Sequence, residues 1–425
     1  MKAPINARAS AAELLEAVHR RGRFLDEAIA GHPGMGTLAP RDRAFARLLA
    51  TTVLRRLGQI DAVLDQCLER PLPDRAHRTR TMLRLGAAQL LFLGTPAHAA
   101  VGEMVALTNQ HHVKLVNAVL RRIAREGEAM VAGQDAARLN TPDWLWRSWE
   151  AAHGEAACRA IAEAHLSEAP LDLSVKSDPE DWARRLDARV LPTDSLRLVA
   201  GGAIVALPGY AEGGWWVQDM AAALPARLLG AVRDKRVIDL CAAPGSKTAQ
   251  LAAAGAKVTA VDRASRRLER LATNLARLGL EADLVTADAG TWRPSAAADA
   301  VLLDAPCSGT GSIRRHPDIQ RLKTPEDVDR MAAAQGRLLR AAIEMVRPGG
   351  IVVYCTCSLE PEEGEAQIAR LLQGDAPARR QPIMPEEVGG LAELIDANGD
   401  LRTHPGQLAA LGGLDGFHAA RLVRV

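Results

Sequence analysis

From Arg236 onward the chain alternates short β-rich runs, RVIDL, KVTAV, ADLVTA, ADAVLLD and IVVYCT, with amphipathic stretches such as RASRRLERLATNLARLG and PEDVDRMAAAQGRLLRAAIEMV. Few arrangements accept this pattern. Strands that are apolar at most positions need cover on both faces, and an intervening helix returns the chain to start the next strand parallel to the last. The second half is therefore expected to form a parallel sheet with helices on both sides, with its ligands beyond the carboxyl ends of the strands.

The first part has a different texture. From Asn6 to about Glu128, ASAAELLEAVHRR, RDRAFARLLATTVLRRLGQIDAVLDQCLE, TRTMLRLGAAQLLFL and HHVKLVNAVLRRIARE repeat apolar residues at three and four, and Gly and Pro mark the joints HPGMG, RPLPD and GTPAH. This predicts an all-α bundle of six or seven helices. Between the halves, NTPDWLWRSWEAAHGEAACRAIAEAH reads as two helices and LDLSVK with DPEDWARRL as a strand and a helix, a small α/β segment. The expected divisions are 1–135, 136–212 and 213–425.

Up to Met130 there are 19 Lys and Arg against 12 Asp and Glu, a surplus of seven in a chain whose net charge is only +2, so the basic character is local. Such asymmetry suits a polyanionic partner for the N-terminal part, although solvated basic faces are common. With 48% hydrophobic and 24% charged residues the composition is that of a globular protein. No apolar run reaches the roughly 18 residues of a membrane span, and MKAPINARASAAELLEAVHRR lacks the apolar core of a signal peptide, so the expectation is a cytoplasmic protein with no membrane association. Thiols are kept reduced there, which argues against pairing among the cysteines at 67, 158, 241, 307, 355 and 357.

Four motifs fall at expected strand ends. VIDLCAAPGSKTAQLA runs from a strand through a small-residue turn, Cys241, Ala242, Ala243, Pro244, Gly245, Ser246 and Lys247, into a helix whose first amides favour an anion. It is neither a P-loop, since Ser246 stands where a glycine must precede Lys247, nor a G-x-G-x-x-G turn. In KVTAVDRASRRLERL, Asp262 ends the next strand and can accept ribose hydroxyls or serve the following helix as a cap. Asp288 in LVTADAG can receive an adenine amino group. These acids fit S-adenosylmethionine as well as a dinucleotide. AVLLDAPCSGTGSIRRHPD then delivers Asp304, Pro306 and Cys307, followed by Arg314, Arg315 and His316, a basic turn able to hold phosphates or simply a solvated loop.

VVYCTCSLEPEEGE ends a further strand with Cys355 and Cys357, just before an acidic helix start. Alternate strand residues share a face, so both cysteines project to the same side, and only Cys357 lies far enough along to leave the core. A thiol pair at this edge suits carbon-5 methylation of a pyrimidine, in which a thiolate adds at carbon 6, carbon 5 takes the methyl group, a base removes the carbon-5 proton and sulfur leaves. A semi-buried acid such as Asp304 can support ring nitrogen 3. A zinc site from Cys241, Cys307, Cys355 and Cys357 lacks paired C-x-x-C spacing, and no metal is expected.

DLCAAPGSKT, VDRASRRLERLATNLARLG, DAPCSGTGSIRRHPD and YCTCSLEPEEGE, preceded by GGWWVQDMAAALPARLL, closely resemble the RsmB/Sun family of RNA cytosine-5 methyltransferases, and the helical part with KLVNAVLRRIARE resembles the NusB-like RNA-binding domain of its bacterial rRNA members. The resemblance implies a multidomain chain: an all-α NusB-like bundle, a small α/β RNA-contacting subdomain, and a Rossmann-like class I methyltransferase with a seven-stranded, mostly parallel sheet. It implies S-adenosyl-L-methionine as cofactor and RNA, most readily 16S rRNA, as substrate; the sequence leaves the oligomeric state open, with a monomer as the expectation. By the same resemblance Cys357 is the nucleophile and Cys307 assists proton removal and release. Cys241 to Lys247 line the methionine side of the cofactor, Asp262 the ribose, Asp288 the adenine, and Asp304 the sulfonium and target base. Two departures stand out: Ser246 where a second glycine is usual, and His418 where an aromatic is usual, in a segment still expected to form a late antiparallel strand. The alternatives are a non-catalytic RNA-binding assembly factor and a cytosine-5 methyltransferase for tRNA.

Overall fold

In a computed structural model of the chain, residues 6–199 and 203–425 are described, so the first five residues of the stretch read for a signal peptide and three in the middle segment lie outside the description. By their internal contacts these residues form two compact units, one comprising residues up to Glu168 together with Ile313–Thr324, the other Ala169–Ser312 and Pro325–Val425.

The first unit is helical. Helices α1 (Ala7–Arg21), α2 (Leu25–Ala30), α3 (Pro40–Arg55), α4 (Leu57–Cys67), α5 (His77–Leu91), α6 (Ala97–Ala106) and α7 (Val113–Ala132) are followed by α8 (Ala136–Asn140), α9 (Asp143–His153) and α10 (Glu155–Ala164). Local sequence sets the ends of α1: the Asn6 side chain accepts from Ala9 N–H at its start, and Gly22, at φ 60°, closes it after a basic last turn. In α7 the buried positions 116, 119, 120, 123 and 127 form one stripe that meets the shared core of Leu14, Leu49, Leu54, Met82 and Leu85. Burial of each such leucine contributes about 1.5–3 kcal/mol.

The segment carrying Arg314, Arg315 and His316 packs as part of this helical unit. Arg314 is buried and its carbonyl accepts from Arg55 Nη1 at 2.9 Å, His316 Nδ1 lies 3.4 Å from Asp26, and Asp318 accepts from Leu25 N–H at 2.8 Å. Arg314 is thus enclosed rather than part of a solvated loop, whereas Arg315 and His316 stay half-buried.

The second unit holds two sheets. Strands β1 (Asp172–Val175), β2 (Ala188–Val190), β3 (Leu196–Leu198) and β4 (Trp215–Val217) form an antiparallel sheet of order β2-β3-β1-β4, with helix α11 (Pro179–Leu186) against it. Asp172 and Arg197, both buried, hold β1 to β3 through two 2.7 Å bonds.

After α12 (Met220–Arg227) comes the larger sheet: β5 (Arg236–Leu240), β6 (Lys257–Asp262), β7 (Asp283–Thr286), β8 (Ala298–Asp304), β9 (Val346–Thr356), β10 (Ala378–Arg380), β11 (Leu401–Thr403) and β12 (Phe417–Arg424). Its path is β10-β12-β9-β8-β5-β6-β7, with β11 paired to β12 as the eighth strand. The pairs along β9-β8-β5-β6-β7 are parallel and those made by β12 antiparallel, so the last strand runs as expected despite His418, whose ring is enclosed beside Tyr354 with centroids 6.3 Å apart. Helices α13 (Ser246–Ala253) and α14 (Ser265–Leu278) connect the strands, α14 burying Leu268, Leu271, Leu275 and Leu278. Register matches Leu240 with Val261 and Leu303, Asp262 with Thr286, and Asp304 with Cys355, so the motif-bearing ends share one edge.

Candidate active site

Strand β5 releases the chain at Cys241, whose φ of 61° is unusual for a side-chain-bearing residue. Ala242 N–H donates to Val261 O at 3.1 Å, Ala243 N–H to Asp262 Oδ2 at 3.2 Å, and the Ala243–Pro244 peptide bond is cis. Gly245 takes the left-handed step at φ 104°, where a Cβ would lie 2.6 Å from Leu271 Cγ. Ser246 then opens α13 and is absent from the positive-φ residues, so the serine occupies a helical position that needs no glycine. Burial, with the charges of Asp304, Asp262 and Asp239, pushes the Cys241 thiol up to about 12 and keeps it protonated.

Asp262 is 3% exposed and already serves the backbone on both sides, taking Ala243 N–H on one oxygen and Ala264 N–H, at 2.9 Å, on the other. It is therefore fixed as a rigid acceptor at the strand end rather than as the N-cap of α14, which is Ala264. Asp288 is exposed just past β7, its Oδ1 accepting Gly290 N–H at 2.7 Å.

Lys247 is buried at the start of α13. Its Nζ is 2.8 Å from Asp304 Oδ2 and 5.1 Å from the centre of the Phe417 ring. Burial works against the ammonium, but the Asp304 carboxylate outweighs it and holds the group above the ordinary lysine range. The other Asp304 oxygen accepts from Cys355 Sγ at 3.5 Å, so fully buried Cys355 both packs in the core and touches the site acid.

Beyond the ends of β8 and β9 the two half-buried thiols meet, Cys307 Sγ lying 3.4 Å from Cys357 Sγ. Contact with Cys357, then burial, then the charges of Cys357, Glu363 and Asp304 raise Cys307 well above the ordinary thiol range, so Cys307 retains its proton at neutral pH. Gly311 closes the loop around them. Its N–H donates to Cys357 O at 3.0 Å, its carbonyl accepts from Gly416 N–H at 2.8 Å, and a Cβ there would be 2.0 Å from Gly416 O.

Two further residues escaped the sequence reading. Asp239, fully buried in β5, takes Thr248 Oγ1 at 2.6 Å on one oxygen and has no partner on the other. Glu363, read only as part of an acidic helix start, is wholly enclosed beneath the two cysteine loops. The clue for Asp239 is a charge inside an otherwise apolar strand run; for Glu363 the sequence offers none beyond its nearness to Cys357. All six cysteines are free, and among the described residues no group of three or more His, Cys, Asp or Glu side chains could hold a metal ion. A 460 Å³ cavity lined by Ser174, Lys176, Trp216, Arg227 and Gln250 contains none of the residues singled out by sequence.

A small-residue loop, carboxylates at successive strand ends and a thiol pair share one sheet edge, the place where open α/β sheets take their ligands, and the family matches make this unit a methyltransferase. Residues 226–423 match the family described as 16S rRNA methyltransferase RsmB/F, and residues 5–125 the NusB family. The ribosomal RNA small subunit methyltransferase B of Xanthomonas campestris is 38% identical over 403 residues, covering 90% of this chain and 91% of its own, and that of Cronobacter sakazakii is 32% identical with full coverage of both. A crystal structure of a methyltransferase homolog from Pyrococcus horikoshii shares the fold at TM-score 0.54 and 26% identity, covering 66% of this chain and 94% of its own. The chain belongs to the RsmB/F family of small-subunit rRNA methyltransferases, with a NusB-family domain at its N-terminal end.

Proposed function

We propose that the protein methylates carbon 5 of a cytosine in 16S rRNA through a transient covalent bond between Cys357 and carbon 6. The observation that carries this reading is the 3.4 Å contact between Cys307 and Cys357 beside an acid, Asp304, held by a buried lysine. Bound S-adenosyl-L-methionine supplies an electrophilic methyl group; the loop from Cys241 to Lys247, with Asp262 and Asp288, offers main-chain and carboxylate groups suited to hold it. The fit is chemical: Asp262 is a fixed acceptor at the second strand end, Asp288 an exposed one at the third, and the loop approaches closely because Ala242, Ala243 and Gly245 are small.

The chain's own residues then divide the work. Cys357 adds as thiolate to carbon 6 while Asp304, entering in its protonated form, passes a proton to ring nitrogen 3 and is left as the carboxylate paired with Lys247, so that the resulting enamine gives carbon 5 the electron density to be alkylated. For release, Cys307 takes the carbon-5 proton as it hands its own to the departing sulfur of Cys357; the former C–H pair becomes the 5,6 double bond and both thiols are regenerated. A thiol that resists ionisation and touches the leaving sulfur suits this relay. Reaching a base in structured RNA requires its extrusion, at about a few kcal/mol, offset by backbone contacts.

The test compares variants incubated with small-subunit rRNA and cofactor. Cys307→Ala is expected to accumulate a denaturation-resistant protein–RNA adduct and Cys357→Ala to form none. The reverse pattern would exchange the two roles. Absence of both adduct and methyl transfer in the unaltered protein would favour a non-catalytic assembly factor.

A further inference from the structure

Glu363 lies in the one-turn 3-10 helix Pro361–Glu363, directly after the nucleophile loop, and is 0% exposed. Its Oε1 accepts from Ser308 N–H at 2.8 Å and Gln335 Nε2 at 3.1 Å; its Oε2 accepts from Ser308 Oγ and Ser358 Oγ, both at 2.5 Å. A carboxylate offers about four acceptor sites, and all four are used here by neutral donors. The main-chain carbonyl of Glu363 also accepts from Tyr354 Oη at 2.6 Å and Thr356 Oγ1 at 3.3 Å, and Gln335 Nε2 reaches Pro306 O at 2.9 Å.

The positions served are not scattered. Ser308 follows Cys307 and Pro306 precedes it; Ser358 follows Cys357 and Thr356 precedes it. The carboxylate therefore braces Ser308 and Ser358 directly and Pro306 through Gln335, while Thr356 is held by the main-chain carbonyl of the same residue. Enclosing a carboxylate among neutral groups forfeits its hydration, and a well-packed apolar side chain often serves stability as well or better. What an apolar side chain cannot do is fix two loops at once by directed bonds.

We propose that Glu363 is a positioning residue that sets the separation and facing of the two sulfurs, and thereby couples the release step to the addition step. The second half of this statement rests on the cytosine chemistry proposed above; the first half is geometric and independent of it. The charge of Glu363 also contributes, after the Cys357 contact and burial, to keeping the Cys307 proton in place.

The experiment uses the full chain with Glu363→Ala, Ser308→Ala and Ser358→Ala, the serine variants covering the case in which Glu363→Ala does not fold. The first readout needs no RNA: diamide takes two electrons and two protons from Cys307 and Cys357 to form their disulfide, quantified by peptide mapping. This rate is expected to fall tenfold or more in Glu363→Ala and severalfold in each serine variant. The second readout is the RNA adduct: Ser308→Ala, which loosens the release side, is expected to accumulate it, whereas Ser358→Ala, which loosens the nucleophile side, is expected to form it more slowly. Disulfide rates within twofold of the unaltered protein would overturn the proposal. So would a parallel decline of adduct formation and breakdown in both serine variants that merely tracks their thermal midpoints. If the unaltered protein forms no adduct, the cytosine chemistry has failed, and the disulfide rates still decide the role of Glu363.

Discussion

Asp239 shows how a single enclosed group makes stability depend on pH. Burial, partly opposed by the Thr248 hydroxyl and increased by the Asp304 charge, pushes its carboxyl from 3.8 up to about 7 in the folded chain. Below about pH 4 the folded and unfolded states both carry the proton, so the group has no effect. Between about 4 and 7 the unfolded chain releases it and the folded chain does not, so stability falls as pH rises, and the penalty is complete above 7. Its full size is on the order of a few kcal/mol. Asp239→Asn keeps an oxygen for Thr248 and removes the titration. Urea unfolding of the second unit should therefore show the variant gaining stability relative to the unaltered protein between pH 4.5 and pH 7.5. A stability difference that stays constant over that range would mean that Asp239 ionises normally in the folded protein.

At the scale of elements, the loop from Cys307 to Gly311 and the start of β12 meet where no side chain fits. The 2.0 Å approach that a Cβ on Gly311 would make is to main-chain oxygen, which cannot swing aside as a flexible side-chain end can. Gly311→Ala is thus expected to cost about 1–3 kcal/mol through overpacking and to slow methyl transfer more than tenfold by displacing the Cys357 carbonyl, while binding of a cofactor analogue, which we propose falls to Asp262 and Asp288 elsewhere on the edge, stays within twofold. Calorimetric binding and a methyl-transfer assay on the same preparation check this, and a matching loss of cofactor binding would contradict it. The strands themselves were readable from sequence because apolar runs and helical periods are local properties; RVIDL and ADAVLLD can hardly be anything else. The convergence of Cys307 with Cys357 was expected from their strand ends. What no local pattern contains is enclosure by distant chain: Glu363 looks like any acidic turn residue until Ser308 and Gln335 close over it. For the same reason Arg314 reads as a free cation until the helical unit surrounds it. The family resemblance places Lys247 on the methionine side, whereas its reach to Asp304 depends on the pairing of β5 with β8.

For the molecule as a whole, the charge surplus before Met130 becomes a statement about surface once the helices are known. On α7, Lys114, Arg121 and Arg125 are exposed and recur at spacings of seven and four, so they lie along one side of the helix, opposite the buried stripe of Val116, Leu120 and Ile123. A row of cations on a helix of this length follows a phosphate backbone without reading sequence. Each phosphate neutralised releases counterions, so the slope of log affinity against log salt steepens by about 0.7 to 0.9 per contact. Replacing all three with Gln is expected to weaken small-subunit rRNA binding strongly at 50 mM salt and little at high salt, flattening the slope by about 2 to 3. Because the replaced side chains lie in the helical unit and the reacting groups in the other, methyl transfer at saturating RNA should be unchanged, so the loss should appear in KM and not in kcat. Filter binding from 50 to 200 mM salt, with initial rates on the same variants, separates the outcomes: an unchanged slope would remove α7 from the RNA-binding surface, and a fall in kcat would mean that the stripe does more than hold the substrate.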